Sequence, residues 1–447
     1  METDETNDSH YIKIITELGD TNDVAAAEDI YAANGMKLVQ KGGRINSTLY
    51  ERILLHKLRA PLDRSLSIRD AVNADDLIGD AKKILTESVH LTEMANALAD
   101  RNYLRYALAD VRLNPVMTCK LTIAREKRPA LYRHNIYVAL IAMYLGVKSG
   151  LTLPELKALG AAGLFHDLGE LYMAPGLLDR TNQLTEAERR HIYAHPVTTY
   201  LILKEFPEYH PLTSTAVLEH HERLDGSGYP FGIGDGKISR LGQILAVAEV
   251  AGTHLVENDK CDCTQLEIIM KLNRRQFNID LTGHLTMLFK HEASLNTNAR
   301  ITPEQVQQQL DKVGAIFDDW ENRNAAAKPS TERLAIYLIN ERVFNLKHAL
   351  IDAGFNPREK GYITQGIEND PQGLTELASL VREAAWQIND ILLQIERRWS
   401  EPGPDVSEAE LAALQAWSEQ AKNLLPLENL LSVISSQDAS ASMVQST

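Results

Sequence analysis

Apolar and polar positions along the chain follow a helical period over most of its length. The exception lies between residues 10 and 70. There Asp29–Ala33 and Met36–Val39 read as two short strands joined at Asn34 and Gly35, a favoured two-residue hairpin turn. Lys41, Gly42 and Gly43 follow, and a helix is expected from Tyr50 to Leu58, ended by Pro61. Residues 1–70 therefore predict a small α+β module, either a regulatory unit or an N-terminal brace.

From about 75 the pattern is helical throughout. Thr152 with Glu155, and Thr185 with Glu188, have capping-box spacing and predict helices running to Phe165 and to His195. The apolar run Ile136–Val147 is short enough to be a buried core helix. Helical periodicity resumes after Pro303, breaks at Ala327–Ser330, resumes at Glu332 and breaks again at Glu401–Pro404. The expected division is 1–70, a helical domain over 75–300, a C-terminal helical region over 301–434 and a disordered tail over 435–447. The fold class is mainly α. The apolar stripes after residue 300 suit core packing first, and otherwise a homodimer or a signalling-protein partner.

Charge narrows the partners. With 61 acidic against 46 basic side chains the formal net charge is -15, which argues against holding a nucleic acid polymer by general electrostatics. A small anionic ligand stays possible if a local site supplies positive charge. Cys119, Cys261 and Cys263 are too few for a disulfide framework, and the N-terminus is polar and acidic, so a reducing cytoplasmic setting is expected. No apolar run is long enough for a membrane span.

Histidine placement carries the chemical signal. Eight of the 14 histidines lie between His134 and His254, several beside carboxylates at the ends of apolar runs. A lone histidine in such a place is usually a satisfied core residue. Five of them with two carboxylates would be costly to bury without a cation, and imidazole mixed with carboxylate suits transition metals. His191, four residues before His195, has a possible ligand spacing but reads as surface; His210 and His254 match no motif, and Lys237 and Arg240 read as solvated.

In order, Tyr132–His134, Phe165–Gly169, His195 with Pro196, the string HHERLDGSGYP (His220–Pro230) and Ala246–Glu249 resemble the successive motifs of an HD-GYP domain over about 125–290. The N-terminal hairpin module resembles, more loosely, one seen ahead of such domains. The resemblance implies a cyclic di-GMP phosphodiesterase releasing pGpG or GMP through a hydroxide activated by two divalent transition metals, iron or manganese. It implies one metal on His134, His166, Asp167 and Glu249, and a second on Asp167, His195, His220 and His221, with Asp167 bridging and His166–Asp167 as the catalytic pair. The loop implies a cyclic dinucleotide as ligand, met by Arg223, Asp225, Gly226, Gly228, Tyr229 and Pro230.

The chain departs from the family at three places. Glu249 stands for the usual Asp, and Glu170 stands for the Lys of His-Asp-x-Gly-Lys. Gly252 replaces an Asp three residues after the last ligand. A glutamate at 170 weakens attraction to a phosphate. These changes leave a second reading, a degenerate HD-GYP module that binds a dinucleotide or a protein without cleaving. Ala130 occupies the position of a third-metal Glu, so two metals are expected.

Overall fold

The computed structural model describes residues 3–178, 184–257, 263–289, 302–324, 334–356, 370–403 and 406–425. The expected tail at 435–447 and the break at Ala327–Ser330 lie outside them, as does Cys261.

Helix α1 (Thr3–Thr21) leads into β1 (Val24–Ala26), β2 (Ile30–Tyr31) and β3 (Lys37–Val39), then α2 (Tyr50–Leu54) and β4 (Leu66–Ile68). β1 pairs antiparallel with β4 (Val24 opposite Ile68), and β2 with β3 (Ile30 opposite Val39). The expected turn forms. Gly35 has φ +86°, and its N–H donates to the Ala32 carbonyl at 2.9 Å. α2 stops at Leu54, short of the expected Leu58. The backbone beyond it is taken by the edge of β2, where Ala33 N–H donates to the Lys57 carbonyl and Arg59 N–H to that of Tyr31.

The mainly α body follows: α3 (Ala74–Glu87), α4 (Val89–Asn96), α5 (Tyr103–Ala109), α6 (Pro115–Lys127), α7 (Pro129–Lys148) and α8 (Leu153–Phe165). Then come α9 (Glu186–Tyr193), α10 (His195–Lys204), α11 (Pro211–Glu219), α12 (Arg240–Glu257), α13 (Cys263–Leu272) and α14 (Ile279–Phe289). Both expected capping boxes are present, on Thr152 with Glu155 and on Thr185 with Glu188. The second helix breaks at Ala194 before reaching His195. Pro196 lacks the N–H that would have continued the ladder, and a new helix begins there.

α7 is the central helix. Pro129 opens it, and a Schellman closure ends it: Gly150 (φ +69°) donates to the Val147 carbonyl and Leu151 to that of Gly146. Small residues let its neighbours come close. A Cβ at Gly163 of α8 would stand 2.6 Å from the Ala139 Cα, and one at Gly252 of α12 would stand 2.6 Å from the Val138 Cγ2. These close approaches bring the end of α8 and the middle of α12 to the same stretch of α7.

The chain divides into two compact units. The first comprises residues 1–261 and 275–289, so the N-terminal module belongs to the same unit as the helices that follow it. The second comprises 262–274 and 290–447. It holds α13, α15 (Pro303–Asn324), α16 (Leu334–Asp352), α17 (Pro371–Arg398) and α18 (Glu408–Leu424). These units do not follow the expected boundaries at 70 and 300. Ile268 and Leu272 of α13 are buried in the core formed by the later helices, and Asn273 donates to Glu383 at 2.9 Å, whereas residues 275–289 return to the first unit. Trp320 and Trp417 meet edge to face in the second core, 4.7 Å between centroids. Among the described residues no helix is long and apolar enough to cross a membrane.

Candidate metal centre

Five helices deliver side chains to one place. His134 projects from α7, His166 and Asp167 follow the last turn of α8, and His195 opens α10. His220 and His221 end α11, and Glu249 sits in α12. Three of the imidazoles are aimed by the same local device. His166 Nδ1 lies 2.8 Å from the Gly163 carbonyl, His195 Nδ1 2.7 Å from that of Ile192, and His220 Nδ1 2.5 Å from that of Val217. Each carbonyl is three residues back, in the last turn of a helix, where carbonyls run out of partners from the next turn. Donation from Nδ1–H satisfies that carbonyl and leaves Nε2 to face the centre.

Asp167 is divided between two groups. Its Oδ2 lies 3.1 Å from His166 Nε2 and 3.5 Å from His134 Nε2, and Glu249 Oε2 lies 2.9 Å from His134 Nε2 and 3.1 Å from His166 Nε2. Its Oδ1 faces the other way, 3.1 Å from His195 Nε2 and 3.4 Å from His220 Nε2. The potential ligand atoms of His134, His166, Asp167 and Glu249 all lie within 4.8 Å of one another, as do those of Asp167, His195, His220 and His221. All seven residues expected as ligands are brought together, in the two expected sets.

The electrostatics fit a cation. Burial would raise Asp167 and Glu249, but the adjoining imidazoles outweigh it and hold both carboxyls well below their usual range. Burial would lower His134, His166 and His195, yet Asp167 and Glu249 hold the first two above their usual value, and Asp167 with Glu170 does the same for His195. Burial pushes His220 down to about 4 and His221 well below its ordinary value. His195 and His220 point Nε2 at each other across 3.2 Å with room for at most one proton, and the buried Asp167 Oδ1 lies 3.1 Å and 3.4 Å from those same two atoms. Such converging lone pairs are costly unless something positive sits between them. Two imidazole–carboxylate groups sharing an Asp suit transition-metal cations, not the all-oxygen shells of magnesium and calcium.

Glu170 lies just beyond. It is half-buried, and burial with the charge of Asp167 pushes it up to about 7. Gly252 has no space for the missing Asp, since Val138 occupies it.

The loop after His221 closes over this centre. Tyr229 stacks on His221 at 4.5 Å and tilts against Tyr193 at 4.6 Å. Gly226 has φ +74°, Asp225 Oδ1 accepts the Ser227 N–H at 3.0 Å, and a Cβ on Gly228 would stand 2.4 Å from the Glu222 Cα. Arg223 donates to the carbonyls of His220 and Glu222, and its guanidinium sits 4.9 Å from the Phe277 ring centre. The peptide before Pro230 is cis. Thus Arg223, Asp225, Gly226 and Gly228, expected to meet a ligand, also build the loop.

Sequence reasoning missed Glu222. It is 1% exposed, and its carboxylate accepts the Phe231 N–H at 2.8 Å and the Ile233 N–H at 3.0 Å. The available signal was an acid placed between a ligand pair and a glycine loop. Glu219, also missed, accepts the Ser239 N–H at 2.9 Å. His210 caps α11 by accepting the Leu212 N–H, His254 Nδ1 lies 2.8 Å from the Val250 carbonyl, and Arg240 reaches the Ser149 carbonyl. His191, His210 and His254 are outside both ligand sets, and Lys237 is exposed.

The HD domain family model matches residues 119–280. A cyclic di-GMP phosphodiesterase of Pseudomonas aeruginosa is 33% identical over 132 residues, 29% of this chain and 32% of that protein. A 3'3'-cGAMP-specific phosphodiesterase of Vibrio cholerae is 33% identical over 147 residues, 32% of this chain and 31% of that protein. The chain thus spans about a third of the length of these two curated relatives. A solved structure from Bdellovibrio bacteriovorus, described as a HDG"Y"P protein, is 16% identical, with a TM-score of 0.34 over 48% of this chain and 71% of that one. Residues 119–280 therefore match an HD domain, and the His220–Pro230 string lies inside that match.

Proposed function

We propose that this protein is a metal-dependent phosphodiesterase that hydrolyses cyclic di-GMP to pGpG or GMP, using two divalent transition metals, iron or manganese. The observation that carries the reading is Asp167, whose two oxygens serve two separate groups of imidazoles, the second of them packed against Tyr229 through His221. His134, His166 and Glu249 would hold one ion and His195, His220 and His221 the other, with Asp167 common to both. When bound, such ions supply a water of lowered pKa and neutralise developing charge on the phosphate. Four positive charges against two carboxylates leave the centre attractive to a phosphodiester, although the whole chain carries -15.

The chain's own residues do the rest. The Nδ1 hydrogen bonds of His166, His195 and His220 fix ring orientation before any ligand arrives, which limits reorganisation during reaction. Glu222 holds the loop, and Tyr229 covers His221 and limits water there. Thr253 donates to Glu249 Oε1 at 3.0 Å and leaves Oε2 for the centre.

Metal analysis of the purified full chain with a cyclic di-GMP hydrolysis assay in Mn²⁺ or Fe²⁺ tests this. Two ions per chain and turnover lost in His166→Ala are expected. A metal-replete protein inert toward cyclic dinucleotides would overturn it. Glu170, an acid beside Asp167 where the HD-GYP motif carries a Lys, favours the second reading of a module that binds without cleaving. That reading wins if the native protein and the Glu170→Lys/Glu249→Asp variant both bind the dinucleotide and neither cleaves it.

A further inference from the structure

A buried cation with no part in this chemistry stands behind the centre. Lys120 of α6 is 1% exposed, and its Nζ lies 2.7 Å from Asp63 Oδ2, itself in a residue 3% exposed. The ammonium also donates to Tyr172 Oη at 2.7 Å, and it lies 4.1 Å and 4.7 Å from the ring centres of Tyr11 and Tyr172. Those two rings stack 4.3 Å apart, and Tyr11 Oη donates to Asp63 Oδ2 at 3.0 Å. Two members of the cluster, Tyr11 and Asp63, come from the N-terminal module. The other two come from the helical body.

Tyr172 is the last residue of the 3-10 turn Leu168–Tyr172, which begins immediately after Asp167 and carries Glu170. Other contacts hold that turn on its remaining sides. Gly169 N–H donates to Thr199 Oγ1 at 2.8 Å, a Cβ at Gly169 would stand 2.5 Å from the His195 carbonyl oxygen, and Arg128 donates to the Met173 carbonyl at 2.6 Å. Each of these contacts comes from α10 or from the residue just before α7, and both helices carry ligands. A buried ion pair is weak evidence for stability, because an apolar replacement of the same shape often serves as well. What an ammonium between two tyrosines and a carboxylate does provide is a fixed direction for the Tyr172 hydroxyl.

We propose that Lys120 is a positioning residue: held by Asp63 and Tyr11, it fixes Tyr172 and so the turn Leu168–Tyr172, which sets the backbone of Asp167 from the N-terminal side of the chain. Residues 1–70 then form part of the scaffold of the centre and are not a detachable regulatory unit. The consequence for metal affinity rests on the function proposed above; the consequence for the turn does not.

Hydrogen exchange on the metal-free full chain separates the two. Tyr172→Phe removes only the hydroxyl, and Lys120→Met with Asp63→Asn removes the buried charges together. In both variants exchange over residues 167–173 should rise about tenfold or more while α7 and α8 keep their protection. Mn²⁺ affinity should fall about tenfold in parallel. Ile30→Val, a core change in β2, is the control for general loosening and should alter neither. Unchanged exchange in Tyr172→Phe, or the same rise in Ile30→Val, overturns the proposal. If the paired variant fails to fold, Tyr172→Phe decides alone. If the unaltered chain takes up no Mn²⁺, the metal reading fails, and the exchange result still decides the role of Lys120.

Discussion

Glu222→Gln is the most informative single change outside the ligands. The substitution keeps the volume of a side chain that is 1% exposed, but it replaces one acceptor oxygen by an NH₂ facing a backbone N–H. A hydrogen bond to a charged group contributes about 1.5–3 kcal/mol, and a buried donor left unmatched costs about 1–3 kcal/mol. Phe231 is 63% exposed, so its amide regains water on loop opening and belongs at the low end of these ranges. The closed loop should therefore weaken by about 2–3 kcal/mol, which multiplies the open fraction by roughly 30–150. Exchange–mass spectrometry on residues 228–234 reads this directly, since the amides of Tyr229, Phe231 and Ile233 are all hydrogen-bonded. In the assay for cyclic di-GMP, KM should rise while metal content stays at the native level, because Glu222 is in neither ligand set. Native exchange over 228–234 would refute the reasoning, and so would metal lost in step with the loop.

Two other outcomes test different parts of the molecule. Gly252→Asp, which restores the family's missing carboxylate, should cost about 1–3 kcal/mol in urea unfolding, because its Cβ would stand 2.6 Å from a Val138 side chain that is fully buried; a variant as stable as the native chain would show that α12 shifts freely on α7. In the second unit, burial pushes Glu383 up to about 7 against hydrogen bonds from Asn273 and Gln387. A carboxyl raised in the folded state contributes stability below its unfolded value near 4.5 that is lost as pH rises through 7. Glu383 is only partly buried, so after solvent screening the loss between pH 5 and pH 8 should be about 1–3 kcal/mol. Glu383→Gln should abolish that component, which parallel urea titrations at the two pH values would detect.

The centre is legible in the sequence because its ligands sit where apolar runs end. His166 with Asp167, His195, and His220 with His221 each mark a helix end, and that is a local property. The helix-end carbonyls that aim the rings are equally local, and only their use by Nδ1 needs coordinates. Glu222 was hidden because its partners, Phe231 and Ile233, become neighbours only after the glycine loop has turned back. The shortening of α2 has the same origin: residues 57–59 have helical character in isolation and lose to the edge of β2. α13 carries the apolar spacing of an ordinary helix, and nothing in that spacing says which core Ile268 and Leu272 will join. What the single sequence transmits well is the type of element and the chemistry at its ends; the choice between tertiary partners stays out of reach.

The anchoring of His166, His195 and His220 to carbonyls three residues back sets a limit on how this chain can change length. One residue added within the last turn of α8 or α11 would rotate the ligands that follow by about 100° and advance them by about 1.5 Å, carrying His166 with Asp167, or His220 with His221, away from the ligands on the other helices. The connection over 97–102, between α4 and α5, by contrast supplies no member of either ligand set. Insertions and deletions accumulated by this lineage should therefore be confined to such connecting stretches, with the spans 163–167, 192–195 and 217–221 kept at constant length.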